Sequence, residues 1–228
     1  MANRAYLRVW TRDFSTQTMI AEFARFLTTA PLSEGERRFQ QLIVRAVDAT
    51  ETPVAEWDLR EGTITPAEVA ALAAQHLDDD TAFIVEAEWE LWSFDMETLK
   101  WSQGRQPLDL LCMGKAYDDG AAAGTGHFSA DLGFEHLFTG HAGLLAAGPA
   151  KTTPGSSDHP VERTFRHWMA SAENLKLYHQ KTRENIEKLF GWVEAIEAAL
   201  PVERSDLWSE GEENFEARLD GIVASYKS

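Results

Sequence analysis

The sequence predicts an α+β fold, in which an antiparallel-rich sheet with two helices is followed by a helical C-terminal part. Three observations predict this class. Short segments of alternating apolar and polar residues fill the first half of the chain. Two segments of helical apolar spacing separate them in the order β-α-β-β-α-β, which is the order of a ferredoxin-like sandwich, and added strands follow. From residue 161 onward the apolar residues recur at helical spacing.

The first elements follow from these periods. Residues 5–10 alternate as a half-buried strand does, and Ser15 or Thr16 can cap the helix that comes next. Residues 39–47 and 52–59 are predicted as two further strands, joined by a short hairpin loop.

The clearest local signal in the chain is the start of the second helix. Thr65, Pro66 and Glu68 combine a capping hydroxyl, a proline at the first helical position and an acid at the third, which is the pattern of a capping box. A long strand over residues 82–94 follows this helix. Two shorter strands between residues 99 and 116 complete the predicted sheet.

Composition divides the chain into three parts. Residues 1–117 carry the patterns of the α+β sheet domain. Residues 118–160 hold eight of the fifteen glycines and four of the seven histidines, and this segment is predicted to be a Gly/His-rich loop region. Residues 161–228 form the helical C-terminal segment, which we expect to pack with the sheet domain as one unit.

The charge balance excludes two classes of partner. With 37 acidic and 21 basic side chains the formal net charge is −16, so phosphate backbones and anionic lipid surfaces would be repelled. We therefore expect no nucleic acid and no membrane as a partner. The first residues show no signal-peptide pattern, and a lone Cys112 suits a reducing compartment, so a cytoplasmic location is expected. Cys112 lies in an apolar run and is predicted to be a small core residue.

Acidic side chains alternate along two of the predicted strands. If those strands share a sheet face, five carboxylates and one tryptophan lie together on it, and we predict that they form a binding face: Glu56, Asp58, Glu86, Glu88, Glu90 and Trp92. The main hypothesis is a binding or regulatory protein that uses this face to bind a basic protein. The alternative is a solvated face with Arg8, Arg45 or Lys100 interleaved.

A second hypothesis is a metal-dependent enzyme with its site in residues 118–141. Imidazole and carboxylate groups are common ligands of divalent metals, and seven of them fall in this segment. Five of the seven are the predicted ligands: His127, Asp131, Glu135, His136 and His141. Their spacing matches no recognised metal motif, so surface histidines and hydrogen-bonding carboxylates are the simpler interpretation. No cofactor is expected under the main hypothesis, and a divalent metal is the alternative. The segment from Gly124 to Ser129 fails the dinucleotide pattern.

The C-terminal helical segment contains a heptad seam. Apolar residues over 161–200 are spaced alternately by four and three, and an unbroken helix of this length would span about 60 Å. We expect it to break near Asn174 or His179, to pair with another helix, or to dimerise. The first interpretation of the seam is a core stripe. The alternative is a structural homo-oligomer, for example a homodimer, joined through His179, Thr182 and Ile186.

Overall fold

Antiparallel pairing joins seven strands into one sheet in the computed structural model, which describes residues 3–33, 39–141 and 160–225. The strands are β1 (Arg4–Thr11), β2 (Phe39–Ala46), β3 (Ala55–Asp58), β4 (Thr81–Asp95), β5 (Lys100–Met113), β6 (Phe128–Phe134) and β7 (Val202–Ser209). Their order across the sheet is β3-β2-β4-β5-β6-β1-β7. The predicted α+β class is confirmed.

Seven α-helices accompany the sheet in the described part of the chain. They are α1 (Thr16–Thr29), α2 (Pro66–Ala73), α3 (Ala122–Thr125), α4 (His136–Thr139), α5 (Pro160–Met169), α6 (Ala172–Ala199) and α7 (Phe215–Ser225), and short 3-10 turns lie at Ala74–His76 and Tyr117–Gly120. None of these helices is both long and apolar enough to cross a bilayer. The capping box is present at α2, because the backbone N–H of Thr65 donates to Glu68 at 2.8 Å and the backbone N–H of Glu68 donates to the Thr65 hydroxyl at 3.3 Å.

One face of the sheet, called the inner face, carries the hydrophobic core. Its residues alternate along each strand, as Leu7 and Val9 do on β1 and Val85 and Trp89 do on β4. Apolar faces of α1, α2, α6 and α7 cover them. Cys112 belongs to this core with 0 % exposure, as predicted, and burial raises the pKa of its thiol well above the ordinary value.

Three parts of the sheet differ from the sequence prediction in detail. The two short strands expected between residues 99 and 116 are one long strand, β5. Pro107 interrupts the strand pattern, but the ladder between β5 and β6 begins at Asp109, so the missing N–H of Pro107 lies outside it. β6 falls within the predicted loop region, and β7 falls within the predicted helical segment. Because β7 pairs with β1, the C-terminal segment is part of the same sheet.

The hairpin of β4 and β5 extends beyond its neighbouring strands, and α6 lies along its free edge. Asn185 of α6 is 2 % exposed. Its amide oxygen accepts from the Trp92 N–H at 2.8 Å, and its amide nitrogen donates at 2.8 Å to the carbonyls of Trp92 and Leu137. Lys188 donates to the Glu90 carbonyl at 2.9 Å. Side chains of a helix therefore satisfy the backbone groups that a neighbouring strand would otherwise pair.

The predicted long C-terminal helix is two helices. α5 ends at Met169, and Ser171 caps α6 by accepting from the Asn174 N–H at 3.5 Å. The break lies just before the positions that the sequence indicated. It allows α5 to pack against the tip of the β4–β5 hairpin, where Phe94 contacts Phe165 and Tyr178.

Candidate functional site

The second face of the sheet, called the outer face, carries the charged residues of the strands. The helices α1, α2, α6 and α7 pack on the inner face, whereas the 3-10 turn at Tyr117–Gly120 and α3 lie against part of the outer face, next to Ala82 and Met113. Cross-strand pairing places side chains of neighbouring strands in rows across this face. One row runs through Gln41, Glu86, Asp109, Asp131 and Tyr6, each directly opposite the next. We call Glu86, Asp109 and Asp131 the carboxylate row.

The carboxylate row is neutralised at one end only. The Nε of Arg4 donates to Asp131 at 2.6 Å. Glu86 and Asp109 stand opposite each other, and neither has an ion pair within the described residues. Burial raises the pKa of the Asp109 carboxyl, and the charges of Asp131 and Glu86 raise it further. The row is thus a concentration of negative charge that its surroundings compensate incompletely.

All six residues of the predicted binding face lie on the outer face. Glu56 and Asp58 on β3 are separated from the glutamates of β4 by β2, so the five carboxylates do not form one contiguous cluster. The six residues of the predicted binding face are Glu56, Asp58, Glu86, Glu88, Glu90 and Trp92. Arginines are interleaved among these acids, but they are not the cations that the alternative interpretation named: Arg60 pairs with Asp58 at 2.6 Å, and Arg105 pairs with Glu88 at 3.4 Å.

The predicted aromatic anchor, Trp92, is not a free surface ring. The ammonium group of Lys181 lies 3.7 Å from the centre of its ring, which α6 thereby covers. The exposed rings of this face are two others. Phe134 is 42 % exposed, and Trp208, on β7 opposite Tyr6, is 36 % exposed. Both lie near the Asp131 end of the carboxylate row.

Sequence reasoning missed the residues that the register brings together. Asp109 and Asp131 become part of the row only because β5 and β6 pair in that alignment. Trp208 was missed because β7 lies in a segment predicted to be helical. A signal for β6 was available in the sequence, because apolar residues occupy every second position at Phe128, Ala130 and Leu132, all of which are buried.

A groove lies beside the carboxylate row on the same face. Its floor is the next row of the sheet, in which Ile84, Leu111, Ser129 and Arg8 face one another across β4, β5, β6 and β1. The cavity has a volume of about 360 Å³, and Met113, Tyr117 and Trp208 are among its other lining residues. Most of its lining is apolar, and arginines stand at its two ends, Arg8 at one and Arg45 at the other.

One wall of the groove is a strap formed by residues 117–125. At one end, the Asp118 N–H donates to the Val47 carbonyl at 2.7 Å. At the other end, the indole N–H of Trp10 donates to the carbonyls of Ala122 and Ala123 at 3.0 and 3.1 Å. The strap is therefore fixed to both sides of the sheet, and the groove is already formed without a ligand.

Backbone strain is concentrated where the strap meets the loop after β2. Val47, Asp118 and Asp119 have φ angles of 72°, 50° and 53°, in the left-handed region. This region is uncommon for residues other than glycine and especially so for a β-branched valine, and such strain clusters at functional sites. The strained residues thus mark one rim of the groove as a candidate site.

The structure does not bring the five predicted metal ligands together. His127 precedes β6, where it stacks on Phe14 at 4.2 Å and accepts from the Thr11 N–H. His136 and His141 follow β6, with ring centres 5.1 Å apart. Asp131 is paired with Arg4, and Glu135 accepts from the Ser209 hydroxyl at 2.5 Å. No group of three His, Cys, Asp or Glu residues in the described part of the chain could hold a metal ion.

The seam residues of the C-terminal helix differ in their surroundings. Thr182 and Ile186 are 3 % and 0 % exposed inside a single chain, so they pack within this molecule, as the core-stripe interpretation expects. His179 is partly exposed, and burial lowers its pKa. Dimerisation through this seam stays a prediction, and it would have to use residues other than Thr182 and Ile186.

Similarity to known proteins does not identify what this face binds. Comparisons with family models, with curated proteins and with solved structures find no significant match. A function is therefore proposed below from the charges, the exposed rings and the shape of the outer face.

Proposed function

We propose that the chain is a binding or regulatory protein that holds a basic segment of a partner protein on its outer face. One observation carries this proposal: Glu86 and Asp109, both partly exposed, lie directly opposite each other on the outer face without an ion pair in the described structure. Like charges in this arrangement destabilise a sheet. A cationic group from a partner would remove that cost, so binding would be coupled to relief of the repulsion.

A guanidinium group fits the carboxylate row better than a metal ion does. Cross-strand neighbours stand about 5 Å apart, which spreads the three carboxylates over three strands. Arg4 shows the favoured arrangement, since its Nε donates to Asp131 at 2.6 Å from the same face. An arginine of the partner, placed over Glu86 and Asp109, would repeat this contact. Charge-assisted hydrogen bonds of this kind are about twice as strong as neutral ones.

The exposed rings give the same face an apolar element. Phe134 and Trp208 are the only aromatic members of the exposed large hydrophobic residues in the described chain. Interfaces between proteins commonly combine aromatic anchors with charged surroundings. A partner that binds here would contact the rings with apolar side chains and the carboxylate row with basic ones.

A labelled nonaarginine peptide is a suitable probe of binding to the carboxylate row, and nonaglutamate serves as the control peptide of opposite charge. Fluorescence anisotropy would compare the wild type with Glu86→Gln/Asp109→Asn at increasing salt. We expect the double variant to bind the basic peptide more weakly and with a smaller salt dependence. Nonaglutamate should bind neither protein.

The matched control removes the same charge elsewhere. Glu97 in the β4–β5 turn and Glu194 on α6 are exposed and lie away from the carboxylate row. Glu97→Gln/Glu194→Gln should bind the peptide almost as the wild type does. Equal weakening in the two double variants would show that only net charge matters, and it would contradict a specific role for the row.

A further inference from the structure

The groove on the outer face is a second site, distinct in its chemistry from the carboxylate row. We infer that it binds an elongated, largely apolar small molecule that ends in a carboxylate. This ligand differs in size and in charge from the basic partner proposed above, and the inference does not depend on that partner.

The floor and wall of the groove fit an apolar chain. Ile84 and Leu111 line the floor, and Met113 and Tyr117, which are 4 % and 3 % exposed, stand beside them. The floor crosses from β4 to β1 in three strand spacings of about 4.8 Å, roughly 14 Å in all. A volume of about 360 Å³ lies within the range of small-molecule sites, and its shape favours a narrow ligand over a compact one.

Arg8 provides the recognition of an anionic end group. Its guanidinium lies 4.5 Å from the centre of the Trp208 ring. The nearest carboxylate, that of Asp206, is 3.9 Å away, which is beyond hydrogen-bond distance, and the Arg8 side chain is only 22 % exposed. Apart from this long ion pair, the guanidinium makes no hydrogen bond in the described structure, and Arg8 lines the groove, so its donors can serve an acceptor placed there. Ser129, its cross-strand neighbour, adds a hydroxyl at the same end.

The opposite end of the groove is not equivalent. The Nη1 of Arg45 donates to the Ala49 carbonyl at 3.2 Å and also to the Glu51 carbonyl, so this arginine is used to hold the loop after β2. Asp118 lines the same end and would repel an anion. A ligand with one charged group is therefore oriented with its carboxylate at Arg8 and its apolar end toward Arg45.

Three ligands of equal chain length and different charge test this inference. Decanoate, decanol and decylamine would be titrated below their micelle concentrations by calorimetry. We expect decanoate to bind tightest, because only its end group carries the negative charge that makes its hydrogen bonds with the Arg8 guanidinium charge-assisted. Decylamine binding as tightly as decanoate would overturn the inference, because the negative charges of the face would then dominate.

Two variants separate the recognition of the end group from the fit of the chain. Arg8→Gln should weaken decanoate binding about tenfold or more and leave decanol binding unchanged, which also shows that the groove is intact. Ala121→Phe places a ring in the groove and should abolish binding of both ligands, while a circular dichroism melt shows that the protein is folded. Unchanged decanoate affinity in Arg8→Gln would contradict the assigned role of Arg8. Neither variant alters Glu86 or Asp109, so the nonaarginine test remains independent.

Discussion

Replacement of Asn185 by alanine tests how the free edge of β4 is stabilised. The Asn185 side chain makes three hydrogen bonds of 2.8 Å at a site where it is 2 % exposed. Without it, the N–H and carbonyl of Trp92 and the carbonyl of Leu137 lose a partner in a place that water reaches poorly. At about 1–1.5 kcal/mol for each bond, the free energy of unfolding should fall by roughly 3–4.5 kcal/mol.

Urea unfolding followed by tryptophan fluorescence measures this change. A loss of this size is a large fraction of the ~5–15 kcal/mol that stabilises a typical domain, and in a thermal melt it corresponds to a Tm lowered by roughly 10 °C. Gln17→Ala is the matched control, because the Gln17 amide is exposed on α1 and its removal should change the free energy of unfolding by less than about 0.5 kcal/mol.

A second substitution refines the test. Asn185→Asp keeps an acceptor for the Trp92 N–H but places a carboxylate oxygen against two carbonyls, so it should be at least as destabilising as alanine at neutral pH. If Asn185→Ala unfolds within about 0.5 kcal/mol of the wild type, the helix does not stabilise the strand edge in the way described.

Three further predictions concern pH and backbone strain. The pKa of Asp109 is raised in the folded state, so its negative charge destabilises the folded state at neutral pH. Asp109→Asn should therefore be more stable than the wild type at pH 7. In urea titrations at a series of pH values, this difference should vanish below the unfolded pKa near 3.8. Burial lowers the pKa of His141 to about 4, so this histidine is protonated only in the unfolded state as pH falls from about 6.5 toward 4. The free energy of unfolding therefore falls over this pH range. His141→Gln should reduce the slope of the free energy of unfolding against pH in the same range. Gly126 has a φ of 98°, and a Cβ there would lie 2.6 Å from the Phe128 carbonyl oxygen. Gly126→Ala should therefore lower the free energy of unfolding, measured in thermal melts, by about 1–3 kcal/mol. Gly124→Ala is the control and should change it little, because a Cβ at Gly124 meets nothing within 4 Å.

Local features of the fold could be predicted from the sequence. The capping box at Thr65 and Glu68 depends on residues three positions apart, and the long strand β4 depends on an alternation that continues through many residues. Cys112 could be placed in the core because its neighbours are apolar. In each case the decisive interactions are close in sequence, or the pattern is long enough to repeat several times.

Features that depend on strand pairing could not be predicted in this way. Alternation assigns Glu86 to a sheet face, but only the alignment of β4 with β5 and of β5 with β6 places it in a row with Asp109 and Asp131. The groove depends on Arg8 and Ile84 sharing one row across four strands, although they are far apart in the chain. β7 follows a long helix and precedes another one, and it lies in a segment whose apolar spacing predicts helix, so its strand pattern was not recognised.

The position of β1 in the sheet has a consequence for folding kinetics. Both neighbours of this strand come from distant parts of the chain, since Arg4 is opposite Phe134 on β6 and Ala5 is opposite Ser209 on β7. Pairing of such distant segments is slow, because a long loop must close before any contact stabilises it. During synthesis β1 emerges before the other strands and remains without its partners, while the β2–β3 and β4–β5 hairpins can already form and β4 can pair with β2. We therefore expect the β1 amides to gain protection from hydrogen exchange last, in a phase that follows formation of the β4–β5 hairpin.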